Sequence, residues 1–107
     1  FGISIPTKEL LKALWICGRT SGRDTDKFRM AKLKTLPARK IKPPMIEGCA
    51  GYIECKLKKI VEAGECYVFF GDVVSAYARS EYLQKGLWSE RAEIPLHLGG
   101  SRIVYFR

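Results

Sequence analysis

Residues 21–28, SGRDTDKF, set two acids and two bases around a glycine and close on a Lys-Phe pair. Such a turn opening a helix presents backbone N–H groups and the positive end of a dipole, with Arg23 or Lys27 beside it to pair with an anion, so a phosphate could settle there. The same residues also permit a plainer arrangement. Asp24 could cap a helix while Lys27 stays in solvent. The next stretch adds charge: Lys27, Arg29, Lys32, Lys34, Arg39, Lys40 and Lys42 lie between residues 27 and 45 with no acid among them, and they carry much of the net charge of +8. Anions are drawn to such a region, although a solvated basic face is the alternative.

Other chemistry is sparse. Cys17, Cys49, Cys55 and Cys66 form no C-x-x-C pair and His97 is the single histidine, so zinc-ligand spacing is absent and reduced thiols are expected, a bridge at Cys49 or Cys55 being the minor alternative. Cys55 and Cys66 stand in apolar runs and read as small buried hydrophobes. No nucleophile–base pair, H-E-x-x-H or paired-carboxylate site appears. His97 reads as a loop residue. No apolar run reaches the ~18 residues that span a bilayer, and no charged-then-apolar leader precedes Phe1, which makes a cytoplasmic chain the expectation.

The elements that must position these residues follow from periodicity. With 107 residues, 47% hydrophobic and 28% charged, the chain amounts to one globular domain at most. FGISIP reads as extended. Pro6-Thr7 starts a helix over 7–17 with a Leu10/Leu11/Leu14/Trp15 stripe, closed by Gly18. Asp24 starts a second helix over about 24–32, with Phe28 and Ala31 inward. Residues 33–46 look like an extended surface connection. From Tyr52 the period becomes two: Ile53, Cys55 and Leu57 alternate with Glu54, Lys56 and Lys58 on a wet face. A turn at 61–65 leads into YVFFGDVVSAYA at 67–78, apolar at nearly every position and therefore expected to be covered on both faces, with a bend at Gly71. Residues 79–98 read as loop with a helical turn around 80–87, and Gly99-Gly100 leads into a last strand at 103–106. Three strands cannot close a barrel, so missing strands are expected upstream of Phe1 or on another chain.

The order of IPTKELLKALWICGRTSGRDTDKF, IKPPMIEGCAGYIECKL, YVFFGDVV and HLGGSRIVYF resembles the C-terminal portion of flavin reductase-like proteins of the flavoredoxin type, over essentially the whole chain. The resemblance implies a β-rich α+β fold: residues 1–107 form a single partial domain, part of a six-stranded antiparallel FMN-binding split barrel with two short helices at the N-terminus, and the family's N-terminal stretch is lacking. It implies a homodimer with the flavin near the subunit interface. By this likeness Lys27 approaches the FMN phosphate or ribityl chain, and Ser21, Gly22 and Arg23 shape the loop. Tyr105 and Phe106 occupy the family's aromatic position, and Phe106 is the one expected at the flavin. Relatives often carry a histidine in a GDH-like turn where this chain reads Gly64-Glu65-Cys66, so Cys66 stands in for an imidazole at the cofactor.

The implied chemistry is hydride transfer from NAD(P)H to flavin and on to an acceptor, which could be a partner protein; FMN is favoured over FAD. A flavin carrier without turnover is one alternative. A basic nucleic-acid-binding module is the other, argued against by the lack of any RNP, KH or helix-turn-helix signature.

Overall fold

The computed structural model describes residues 1–105. The chain starts as strand β1 (Gly2–Ile5), passes through a 3-10 turn at Lys8–Leu10 and enters helix α1 (Leu11–Arg19). Thr7 does not cap the turn with its side chain; its hydroxyl donates to the Gly48 carbonyl at 3.4 Å. The helix runs past Gly18 because its last carbonyls find partners: the Thr20 hydroxyl donates to Ile16 O and the Lys27 ammonium to Cys17 O, each at 2.8 Å. Helix α2 is only Lys27–Met30, shorter than the sequence suggests, and its cap is Asp26, not Asp24. Two-residue strands β2 (Thr35–Leu36) and β3 (Met45–Ile46) then pair where the sequence reads as a plain extended connection.

Period-two patterning produces the long hairpin of β4 (Gly51–Ala63) and β5 (Cys66–Ala78). Gly64, at φ +63°, takes the positive φ that a primed two-residue turn needs at its first central position. Register shifts occur between Glu54 and Cys55 and between Leu57 and Lys59, the second beside Gly71, where the bend was expected. A Cβ on Gly71 would lie 2.7 Å from the Phe1 ring, so close approach also requires glycine there. β1 pairs with β4, giving the sheet order β1-β4-β5. Beyond it come a small hairpin of β6 (Leu83–Gln84) and β7 (Leu87–Trp88), and a closing one of β8 (Pro95–Gly99) and β9 (Arg102–Tyr105). The 79–98 region is thus more regular than expected. Among the described residues these pairs do not join into a closed sheet.

The core is small. Met45, Cys49 and Tyr52 are buried against Leu10, Leu36, Ile41 and Tyr77, and the Tyr52 and Tyr77 rings stack across the strands at 5.2 Å. β5 departs from expectation: it is exposed on both faces over most of its length, with Tyr67, Phe69 and Val73 at 60%, 58% and 63% exposure. Its sequence is that of a covered strand, but among the described residues only Phe1 over Gly71 and the contacts of Tyr77 near its end cover it. Cys66, expected to be buried, is exposed for the same reason, while all four thiols are free.

Candidate functional site

The Ser21–Lys27 segment folds on itself. The Asp24 and Thr25 N–H groups donate to Ser21 O at 3.2 and 3.1 Å, and the Arg23 N–H donates to Ser21 Oγ at 3.2 Å. Asp26 accepts from the Arg29 N–H at 3.3 Å, so a carboxylate already occupies the start of α2. One of the N–H groups that the sequence allowed for an anion is thus taken within the chain. What remains is the Lys27 ammonium, with one of its three donors on Cys17 O. Gly22 passes close to the lysine stem: a Cβ there would sit 3.8 Å from Lys27 Cε.

Lys27 stands at an apolar cavity of about 260 Å³ between α1, α2 and the sheet, walled by Leu10 of the 3-10 turn and by Ala13, Leu14 and Cys17 of α1, with Phe28 and Ile46 opposite. It is the one charged side chain among the described lining residues. The volume falls below the ~300 Å³ at which small-molecule pockets begin. An anionic group fits at Lys27, whereas a flavin ring does not fit inside.

The other expected site residues lie apart from it. Tyr105 sits beneath the Lys8 ammonium, 5.2 Å from its ring centre, and His97, bonded to Gly100 O at 2.9 Å, meets Trp15 edge-on at 5.8 Å. Trp15, which His97 meets, is not among the residues that line the Lys27 cavity, so the closing hairpin meets α1 away from that cavity's lining. Cys66 is at the hairpin tip; the nine residue steps from Glu54 to Ala63 carry it roughly 30 Å from Glu54. Phe106 lies outside the described residues. Ser21, Gly22, Arg23 and Lys27 are therefore brought together, and Tyr105 and Cys66 do not join them within one chain.

Glu54 was missed by pattern reading, which puts it on a wet face. It is fully buried. Its carboxylate accepts from the backbone N–H groups of Arg39 (2.8 Å), Lys40 (2.6 Å) and Ile41 (3.2 Å) and from the Tyr77 hydroxyl (2.5 Å), and the Arg39 guanidinium lies 3.9 Å from the Tyr77 ring centre. Burial alone would raise the carboxyl, but these donors outweigh it and hold it at about 2. Burial and the neighbouring carboxylate push Tyr77 up to about 12. The one available clue was charge, since the 27–45 run contains no acid of its own to balance it.

Residues 1–97 match the model of the flavin reductase-like domain, and the chain belongs to that family. It is 33% identical to the uncharacterized protein YddH of Escherichia coli K12, the match covering 97% of this chain and 58% of YddH. Among solved structures it is similar to flavoredoxin of Desulfovibrio vulgaris (Miyazaki F), with a TM-score of 0.85, 24% identity and coverage of 100% of this chain and 58% of that one. A flavoredoxin from Methanosarcina acetivorans gives a TM-score of 0.80, 26% identity and coverage of 98% and 55%. The β-rich fold is thus that of flavin reductase-like proteins. The chain spans between 42% and 61% of the length of the first curated relatives it matches. Among the described residues no helix is long and apolar enough to cross a membrane.

Proposed function

We propose that this chain contributes the phosphate-holding part of an FMN site in a cytoplasmic oxidoreductase that takes hydride from NAD(P)H and passes electrons to an acceptor, which could be a partner protein. The observation that carries this reading is Lys27: a half-buried ammonium at an apolar cavity, beside the exposed Ser21–Arg23 turn, in a chain of the flavin reductase-like family. Lys27 would hold the phosphate, and Arg23, exposed on the same turn, would add a second cation. A bound flavin supplies hydride acceptance at its ring.

Covering the ring needs surfaces that one chain does not bring to Lys27. In this reading a second copy supplies them, as a homodimer: the exposed aromatic face of β5 packs between subunits, and Cys66 at the hairpin tip reaches the partner's site. A thiol there neither donates nor accepts a strong hydrogen bond, so the ring edge it meets is left less polarised than by an imidazole.

The test is titration of the colourless protein with FMN, followed by quenching of flavin fluorescence, then NADPH addition under argon. Saturable FMN binding, weakened about tenfold or more by Lys27→Gln, with bleaching of the flavin band on NADPH addition, is expected. Binding without bleaching would replace the enzyme with a carrier. No FMN uptake would overturn the site.

A further inference from the structure

Toward the other end of β1 a second cleft, of about 550 Å³, opens between residues 40–43 and strand β4. Lys40, Lys42 and Lys56 rim it, and Phe1, Ile41 and Val74 form apolar walls. No acid is among its described lining residues, and among the described residues none of the three lysines has a carboxylate within 4 Å, whereas nearby Lys58 is paired with Asp72 at 3.5 Å. The segment bearing Lys40 is anchored, because the Glu54 carboxylate accepts from the N–H groups of residues 39–41. Phe1 is anchored too, its carbonyl accepting from the Cys55 N–H at 2.8 Å and its ring lying over Gly71.

Three unpaired ammoniums over an aromatic and aliphatic wall suit a ligand that joins a flat base to a phosphate dianion. Ser4 lines the Lys27 cavity and Phe1 lines this cleft. Phe1 and Ser4 are three positions apart along the strand, roughly 10 Å of backbone, with their side chains on opposite faces. We infer that this cleft receives the adenosine end of the reduced nicotinamide cofactor, with Lys40, Lys42 and Lys56 around its 2′-phosphate, so that NADPH is preferred over NADH. This rests on the hydride-transfer reading above and specifies its reductant.

The test uses adenosine 2′,5′-bisphosphate and adenosine 5′-monophosphate as probes, titrated into the 107-residue protein by amide-resolved NMR. The bisphosphate is expected to bind at least about tenfold more tightly and to shift the amides of residues 40–43 and 56. Each of Lys40→Gln, Lys42→Gln and Lys56→Gln should weaken it about two- to fivefold, the scale of an exposed ion pair, while Lys85→Gln on the remote β6–β7 turn should not. Equal affinities for the two probes, shifts mapping elsewhere, or an equal loss in Lys85→Gln would overturn the assignment. FMN titration of the same variants separates the two readings. Selective bisphosphate binding without FMN uptake defeats the flavin site and leaves the cleft, and FMN uptake without selectivity does the reverse.

Discussion

Removal of one oxygen atom, in Tyr52→Phe, tests how the wall of the Lys27 cavity is held. The Tyr52 hydroxyl donates to Ile46 O at 2.8 Å and accepts from the Cys49 N–H at 3.2 Å, and the residue is 6% exposed. Phenylalanine would keep the ring stacked on Tyr77 and leave both backbone groups without a partner in the core. An orphaned buried donor or acceptor costs about 1–3 kcal/mol, and the partial exposure of Ile46 lets water recover some of that, so the net loss should be about 2–3 kcal/mol. For a domain near 100 residues this lowers Tm by roughly 10–20 °C. Urea unfolding followed by far-UV circular dichroism measures the loss directly, with Tyr67→Phe on exposed β5 as a control expected within about 0.5 kcal/mol of wild type. Because Ile46 and Cys49 also line the cavity, FMN affinity should fall although Tyr52 is not itself in the lining. A Tyr52→Phe protein within about 0.5 kcal/mol of wild type, with an unchanged denaturant slope, would refute the claim that this hydroxyl fixes the 46–49 loop.

Two further outcomes follow from burial. The Glu54 carboxyl falls from 4.5 to about 2 on folding, so its contribution to stability is fully present above about pH 4.5 and is lost as pH falls through about 2. Urea midpoints between pH 7 and pH 2 should show that loss in wild type and a flatter profile in Glu54→Gln; parallel profiles would exclude Glu54 as its source. Thiol titration with an aromatic disulfide reagent should modify Cys66 quickly and leave Cys49, buried and with its thiol pushed up to about 11, protected until urea is added. Equal rates at Cys49 and Cys66 would contradict the core as described.

Much of the frame was legible because its signals are local. The Leu10/Leu11/Leu14/Trp15 stripe marks α1, the alternation from Tyr52 marks β4, and Gly64 and the Gly99-Gly100 pair mark the turns that join strands. What failed depended on contacts distant in sequence. Helix α1 passes Gly18 because Lys27, ten residues on, caps it. Glu54 keeps the alternating pattern of a solvent-facing residue, yet the 39–41 backbone folds over it, and no period within 51–57 reports that. The expectation that β5 is covered on both faces fails for this chain, since composition marks an apolar strand without saying what lies over it. The grouping of Ser21, Gly22, Arg23 and Lys27 is contiguous and therefore visible, whereas the relation of Lys27 to Tyr105 depends on which face of α1 each meets.

The two basic stretches share one arrangement. At each, an acid of the chain takes backbone donors: Asp26 the Arg29 N–H at the start of α2, and Glu54 all three N–H groups of residues 39–41. Backbone N–H groups in a row are themselves an anion site, so filling them internally, wholly at residues 39–41 and in part at α2, limits the mode of phosphate binding that would depend little on side chains. The ammonium groups of Lys27, Lys40 and Lys42 are left as the means of attraction. Ion pairs made by such partly exposed lysines are screened by salt, unlike contacts to a preformed backbone cradle. Binding of a phosphorylated ligand at either place should therefore weaken steeply between low salt and about 0.5 M salt. An affinity indifferent to salt would mean that Asp26 or Glu54 withdraws and the backbone, not the lysines, receives the phosphate.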